Sequence, residues 1–149
     1  MSTDRPDDER GHLTETSYGG VVLRGEELLV ITPAGKRVTG LPKGGRNRGE
    51  TPEEAAAREV REETGVTASV RGPLGDVTYW YRRGGRRVRK TVRFFLCDFV
   101  EGSTDDHDHE VTEARWIPLL EAEASLTYPG EREMVQRAIG LLTRSREDR

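Results

Sequence analysis

Apolar residues in the first part of the chain fall into short alternating or continuous runs. Residues 18–23 and 28–31 are two such runs separated by Gly25, a pattern that predicts a β-hairpin, with Pro33 and Gly35 ending its second strand. Residues 40–49, Gly-Leu-Pro-Lys-Gly-Gly-Arg-Asn-Arg-Gly, hold too much glycine for strand or helix and predict a loop with unusual backbone conformations. The signals then turn helical. Thr51 suits an N-cap, Pro52 the first helical position, Glu53 and Glu54 the positive end of the dipole, and Gly65 a left-handed stop.

Beyond that helix, residues 66–70 and 74–81 predict strands, Gly84-Gly85 a hairpin turn, and residues 88–100 a long returning strand with Val92, Phe94 and Leu96 on one face. A polar, acidic loop over 102–109 leads to a short strand at 114–117, ended by Pro118, and a short helix at 119–124. The last helix starts near Pro129 and turns Met134, Val135, Ala138, Ile139 and Leu142 toward a core. These elements add up to the α+β class: a mixed β-sheet between helices, arranged as an α/β/α sandwich.

Length and composition refine this picture. At 149 residues one domain is expected, and it needs no disulfide or structural metal. With 33% hydrophobic and 34% charged residues, part of the chain must be solvated. Residues 1–15 lack apolar periodicity and are expected to be a disordered tail, leaving 16–145 as the folded domain. No signal-peptide stretch begins the chain and no apolar run approaches the ~18 residues of a membrane span, so a cytoplasmic protein without membrane contact is expected. Cys97, in the run Phe94-Phe95-Leu96-Cys97, reads as a buried thiol. A net charge of -3 argues against general nucleic-acid affinity, yet Arg82, Arg83, Arg86, Arg87, Arg89, Lys90 and Arg93 crowd one hairpin.

The candidate chemistry lies on the helix after the glycine-rich loop. Glu59, Glu62 and Glu63 share one face, where carboxylates three and four apart repel by roughly 0.2–0.5 kcal/mol per pair unless a positive charge sits among them. Magnesium, a hard ion that takes oxygen ligands and substrate phosphate together, would remove that cost. Arg58 is placed to orient a carboxylate. Alone, this helix also reads as an ordinary solvated face. The loop before it decides, because Gly44, Glu50, Arg58, Glu59, Val60, Glu62, Glu63, Gly65 and Val66 satisfy G-x5-E-x7-R-E-U-x-E-E-x-G-U, with U aliphatic. A chance match is on the order of one in 10^5.

This pattern is the Nudix box, and the chain resembles the Nudix hydrolases from about Tyr18 to its last helix. The resemblance implies a Nudix-type α/β/α sandwich and hydrolysis of a pyrophosphate bond in a nucleoside diphosphate derivative with Mg2+, for which Mn2+ could substitute. It implies Glu59, Glu62 and Glu63 as metal ligands, joined by the carbonyl of Lys43, with Glu50 and Arg58 in support. Glu110 stands where the family often draws a further carboxylate from a later loop, with Asp106, Asp108 and Glu113 nearby. Glu59, Glu62 or Glu110 would take the proton from the attacking water. The chain departs from many members at Asn47, where they carry glutamate.

The variant Leu41-Pro42-Lys43-Gly44 resembles that of the diadenosine polyphosphate hydrolases and some bacterial nucleotide-pool relatives. With the basic hairpin it makes a dinucleoside polyphosphate the expected substrate. Nucleoside triphosphates, oxidised or normal, and RNA 5′ ends are the alternatives; a nucleotide- or RNA-binding module without turnover is the reading from another class. Substrate contacts are expected from Lys43, Arg46, Arg89 and Lys90 and, by stacking, from Tyr81 and Tyr128. His107 and His109 lack ligand spacing and read as surface residues. A monomer or homodimer is expected.

Overall fold

The computed structural model describes residues 11–147. Strands β1 (Leu13–Arg24) and β2 (Glu27–Pro33) meet at a turn where Gly25 takes φ +59°. They pair beside the turn, at Leu23↔Leu28 and Arg24↔Glu27. Further along they diverge and the glycine-rich segment enters the gap. Gly40 exchanges two backbone hydrogen bonds with Ile31 of β2, at 2.8 and 2.9 Å. The two-residue strand β3 (Lys43–Gly44) pairs with Gly19 and Tyr18 of β1. The expectation of a pure loop over 40–49 is thus corrected at its start: residues 40–44 complete the sheet. Glycine at position 19 permits this, since a Cβ there would lie 2.5 Å from the Pro42 carbonyl oxygen.

Helix α1 (Pro52–Thr64) has the expected stop and start, strengthened by a reciprocal capping box. The Glu54 N–H donates to Thr51 Oγ1 at 3.1 Å and the Thr51 N–H to Glu54 Oε1 at 2.9 Å. Gly65 closes the helix at φ +78°. Strands β4 (Val66–Arg83) and β5 (Arg86–Gly102) form the long hairpin; β6 (Val111–Pro118), a 3-10 turn at Leu119–Glu121, α2 (Ala122–Ser125) and α3 (Pro129–Glu147) follow. Residues 66–70 and 74–81, expected as two strands, are one: register shifts around Val70–Gly72 and Pro73–Gly75 absorb the glycines and proline as bulges without ending the pairing.

The six-stranded sheet runs β4-β5-β1-β2-β6, with β3 beside β1. β1 and β5 are parallel and the other pairs antiparallel, so the sheet is mixed. Alternation along the strands divides the core. Tyr18, Val22, Leu29 and Phe95 pack on Ala55, Ala56 and Val60 of α1, whereas Val21, Leu28, Val30 and Phe94 pack on Met134, Val135 and Ala138 of α3. This is the expected sandwich.

One boundary is corrected. β1 begins at Leu13 and pairs with β5 from Leu13↔Val88 onward, so residues 13–15 belong to the sheet; residues 1–10 of the expected tail lie outside the described residues. Cys97 is buried and burial pushes its thiol up to about 12, which leaves it inert as a nucleophile. Among the described residues no helix is long and apolar enough to cross a membrane.

Candidate active site

The fold presents the box as a loop held by the sheet at one end and by α1 at the other. At the sheet end, the Lys43 N–H donates to Glu63 Oε1 at 2.7 Å. At the helix end Arg58 is the hub. Its Nε and Nη2 reach both oxygens of Glu50 at 2.7 and 3.1 Å, and Nη2 also donates to the Gly45 carbonyl at 2.7 Å. Nη1 donates to Glu59 at 2.8 Å and Glu62 at 3.1 Å. Glu50 also accepts from the Asn47 N–H at 2.7 Å, so one ion-pair network fixes the whole turn from 45 to 50. Asn47 thus contributes through its backbone, for which the amide side chain is irrelevant.

These contacts set the charges. Hydrogen bonding to Arg58 holds the Glu50 carboxyl below its usual range and raises Arg58 itself. Glu59 is raised, first by burial and then, against the pull of Arg58, by the charges of Glu62 and Glu110. Glu63 is pushed up to about 8 by burial, opposed by the Lys43 N–H and raised further by Glu59 and Asp108. The acidic loop after β5 therefore faces the helix. It is anchored there: the Asp108 N–H donates to the Glu62 carbonyl at 2.9 Å and the Glu110 N–H to Asp108 Oδ1 at 3.1 Å.

The donor set suits a hard cation. Glu59, Glu62, Glu63 and Glu110 supply only oxygen, and two of them, Glu59 and Glu63, are half-buried carboxylates whose ionisation the protein leaves incompletely balanced. Gly44 matters here because a Cβ would overlap the Glu59 carboxylate. Among the described residues no three acidic, histidine or cysteine side chains are gathered around one point; Arg58 instead holds Glu59 and Glu62.

A pH effect follows from Glu63. Its carboxyl binds a proton in the folded protein up to about pH 8 but only to about 4.5 when unfolded. Between those values the folded state carries more protons, so stability falls as pH rises, by at most about 1.4 kcal/mol per unit for one group. In chelator, the melting temperature should decline from about pH 5 to 8 and then level off. Glu63→Gln should make the decline shallower; an unchanged slope would assign it to other groups.

On the α3 side the box opens into a cavity of about 800 Å3 lined by Lys43, Glu63, Tyr79, Tyr81, Tyr128 and Glu131 among others. Lys43 and Glu63 mark its box end, Tyr79 and Tyr128 its partly exposed aromatic walls. Of the expected substrate contacts, Lys43, Tyr81 and Tyr128 line this cavity. The Tyr81 hydroxyl donates to Glu15 at 2.9 Å, and Glu15 also takes the Lys90 ammonium, so Lys90 is buried in an ion pair. Arg89, beside it in sequence, is exposed on the opposite face, as strand alternation requires. Arg46 is exposed and donates to the Glu50 carbonyl at 3.3 Å. Arg87 lies over Trp80 at 4.5 Å.

Two residues that sequence reasoning did not select share the cavity, Tyr79 and Glu131. The signal for Glu131 was present: positions 131, 134, 135 and 138 form one helical stripe, so this glutamate occupies a core-facing position of α3.

The arrangement is that of a known family. The model of the NUDIX domain matches residues 14–138, and the chain belongs to the Nudix family. The chain is 39% identical over 144 residues to the putative mutator protein MutT4 of Mycobacterium tuberculosis, covering 90% of this chain and 58% of that protein. It is 38% identical over 99 residues to the 8-oxo-(d)GTP phosphatase of Mycolicibacterium smegmatis, covering 66% and 29%. An RNA pyrophosphohydrolase of Erythrobacter litoralis is 32% identical over 121 residues, covering 66% and 73%. The chain thus spans less than two thirds of the length of the first two. Similar solved structures include a NUDIX hydrolase from Nitrosomonas europaea (TM-score 0.68, 19% identity, 84% of this chain and 88% of that one) and a C. elegans Ap4A hydrolase binary complex (0.68, 22%, 86% and 97%). They share the fold.

Proposed function

We propose that this chain is a pyrophosphohydrolase of nucleoside 5′-triphosphates that uses magnesium, with manganese as a substitute. The observation that carries the reading is the continuity of the box with the cavity: Lys43 and Glu63 of the box line the same space as Tyr79 and Tyr128. A triphosphate directed at the box end leaves its nucleoside near these rings, where stacking is favourable. The name of one mycobacterial relative, 8-oxo-(d)GTP phosphatase, supports the same substrate class.

Glu59, Glu62, Glu63 and the Lys43 carbonyl would hold the ion, with Glu110 completing the set. A divalent ion supplies charge neutralisation at the phosphates and acidifies a bound water. The protein's own part is positioning. Arg58 fixes Glu59 and Glu62, the Lys43 N–H fixes Glu63, and the Lys43 side chain brings a positive charge to the cavity wall. Among the candidates for proton acceptor, Glu59 is raised, first by burial and then by the charges of Glu62 and Glu110, which favours its taking a proton.

A second reading, hydrolysis of dinucleoside polyphosphates, rests on Leu41-Pro42-Lys43-Gly44. It draws less from the hairpin than the sequence suggested, since Lys90 is neutralised by Glu15 and Arg89 points away from the cavity side. The test is chromatographic product analysis with magnesium on normal and oxidised nucleoside triphosphates, diadenosine polyphosphates and 5′-triphosphorylated RNA. Fastest turnover of a nucleoside triphosphate is expected. Preference for a diadenosine compound would move the conclusion to the second reading, and no turnover of any of them would remove the hydrolase reading for these substrates.

A further inference from the structure

Glu131 is 5% exposed, lies in the first turn of α3 and lines the cavity. One carboxylate oxygen, Oε1, accepts from the Leu41 N–H at 3.0 Å across 90 residues of sequence. Its other oxygen accepts no hydrogen bond from a described residue. Tyr79 and Tyr128 line the same cavity as Glu131, so carboxyl and rings border one space. An acidic side chain buried with a spare acceptor costs stability unless something donates to it. Nothing in the box uses it. We propose that Glu131 reads the nucleobase, its free oxygen selecting a base that offers adjacent N–H donors, as the ring imino and exocyclic amino groups of guanine do.

The inference rests on the nucleotide reading of the cavity. Burial raises the carboxyl to about 7, with the Leu41 N–H and Lys43 opposing, in keeping with a group that lacks a full set of donors. The Leu41 bond gives the tether a structural role as well, and glutamine separates the two roles. Glu131→Gln keeps an oxygen for the Leu41 N–H and turns the cavity-facing group from acceptor into donor, which now opposes a guanine edge and suits the unprotonated ring nitrogen of adenine.

The experiment measures kcat/KM for GTP, ITP and ATP in the native protein and in Glu131→Gln. Alongside, binding of GMP and AMP is titrated by tyrosine fluorescence without metal. The native protein should prefer GTP, with ITP between. The variant should shift the GTP-to-ATP ratio toward ATP by about 10-fold or more, the scale of a mispaired buried polar group. The GMP-to-AMP affinity ratio should move the same way. Equal losses for all three bases, with unchanged ratios in both assays, would reduce Glu131 to a tether for Leu41. Absence of turnover with the binding preference intact would sink the hydrolase reading and leave the base assignment standing; absence of any base preference in native binding would overturn the assignment itself.

Discussion

Glu62→Gln should lower kcat with magnesium by about 10^2- to 10^4-fold while the protein melts within about 2 °C of the native chain. The two halves of this result have separate causes. The Glu62 side chain is 46% exposed and its ion-pair partner among the described residues is Arg58, which keeps Glu50 and Glu59, so the fold loses little. The function loses a carboxylate oxygen that a hard cation or a water proton needs, and an amide supplies neither charge nor basicity. Activity within about threefold of native would remove Glu62 from the chemistry. A large fall in melting temperature would instead mark it as structural.

Arg58 should behave in the opposite way. Arg58→Met leaves Glu50, Glu59, Glu62 and the Gly45 carbonyl without their shared donor, and three carboxylates are then left without their cation. Charge-assisted bonds of this kind contribute about 1.5–3 kcal/mol each before screening, and the guanidinium is 19% exposed, so a net loss of about 2–4 kcal/mol is expected. For a chain of this size that lowers melting by about 5–15 °C, measurable by calorimetry in chelator. Added magnesium should recover more of the lost stability in the variant than it adds to the native protein, because it replaces the missing charge. Arg58→Lys should not restore the native value, since one ammonium cannot span both oxygens of Glu50, Gly45 and Glu59 together. A melting temperature unchanged in Arg58→Met would show that solvent already screens the cluster.

Local chemistry made the central helix legible from the chain alone. Thr51, Pro52 and Gly65 act within a turn of themselves, and the box residues take their places on α1 by helical spacing, so loop, helix and carboxylate face needed no tertiary information. The sandwich was legible for a similar reason, because strand and helix periods differ and each buries its own stripe. What the chain concealed depends on distant pairing. Residues 40–44 contain Gly40, Pro42 and Gly44, which locally oppose extended structure, and they join the sheet only because β1 and β2 part around them. Leu13, Thr14 and Glu15 look solvated until β5 is laid beside them. Arg89 and Lys90 read as one basic patch, yet alternation sends them to opposite faces and Glu15 claims the second. Glu131 was hidden by its own polarity, which drew the apolar stripe of α3 to begin one turn late at Met134.

The insertion of residues 40–44 into the sheet bears on how this protein can diversify. Connecting segments usually tolerate added or deleted residues, and substrate range commonly evolves through their length. Here the same stretch is held in register against Tyr18, Gly19 and Ile31. One residue added between Gly40 and Gly44 would turn Lys43 to the other face and carry Gly44 away from Glu59. Length variation in descendants of this sequence is therefore confined to the far side of the turn around Asn47 and to the acidic segment after β5, so new specificities would arise there or by single replacements along the cavity wall.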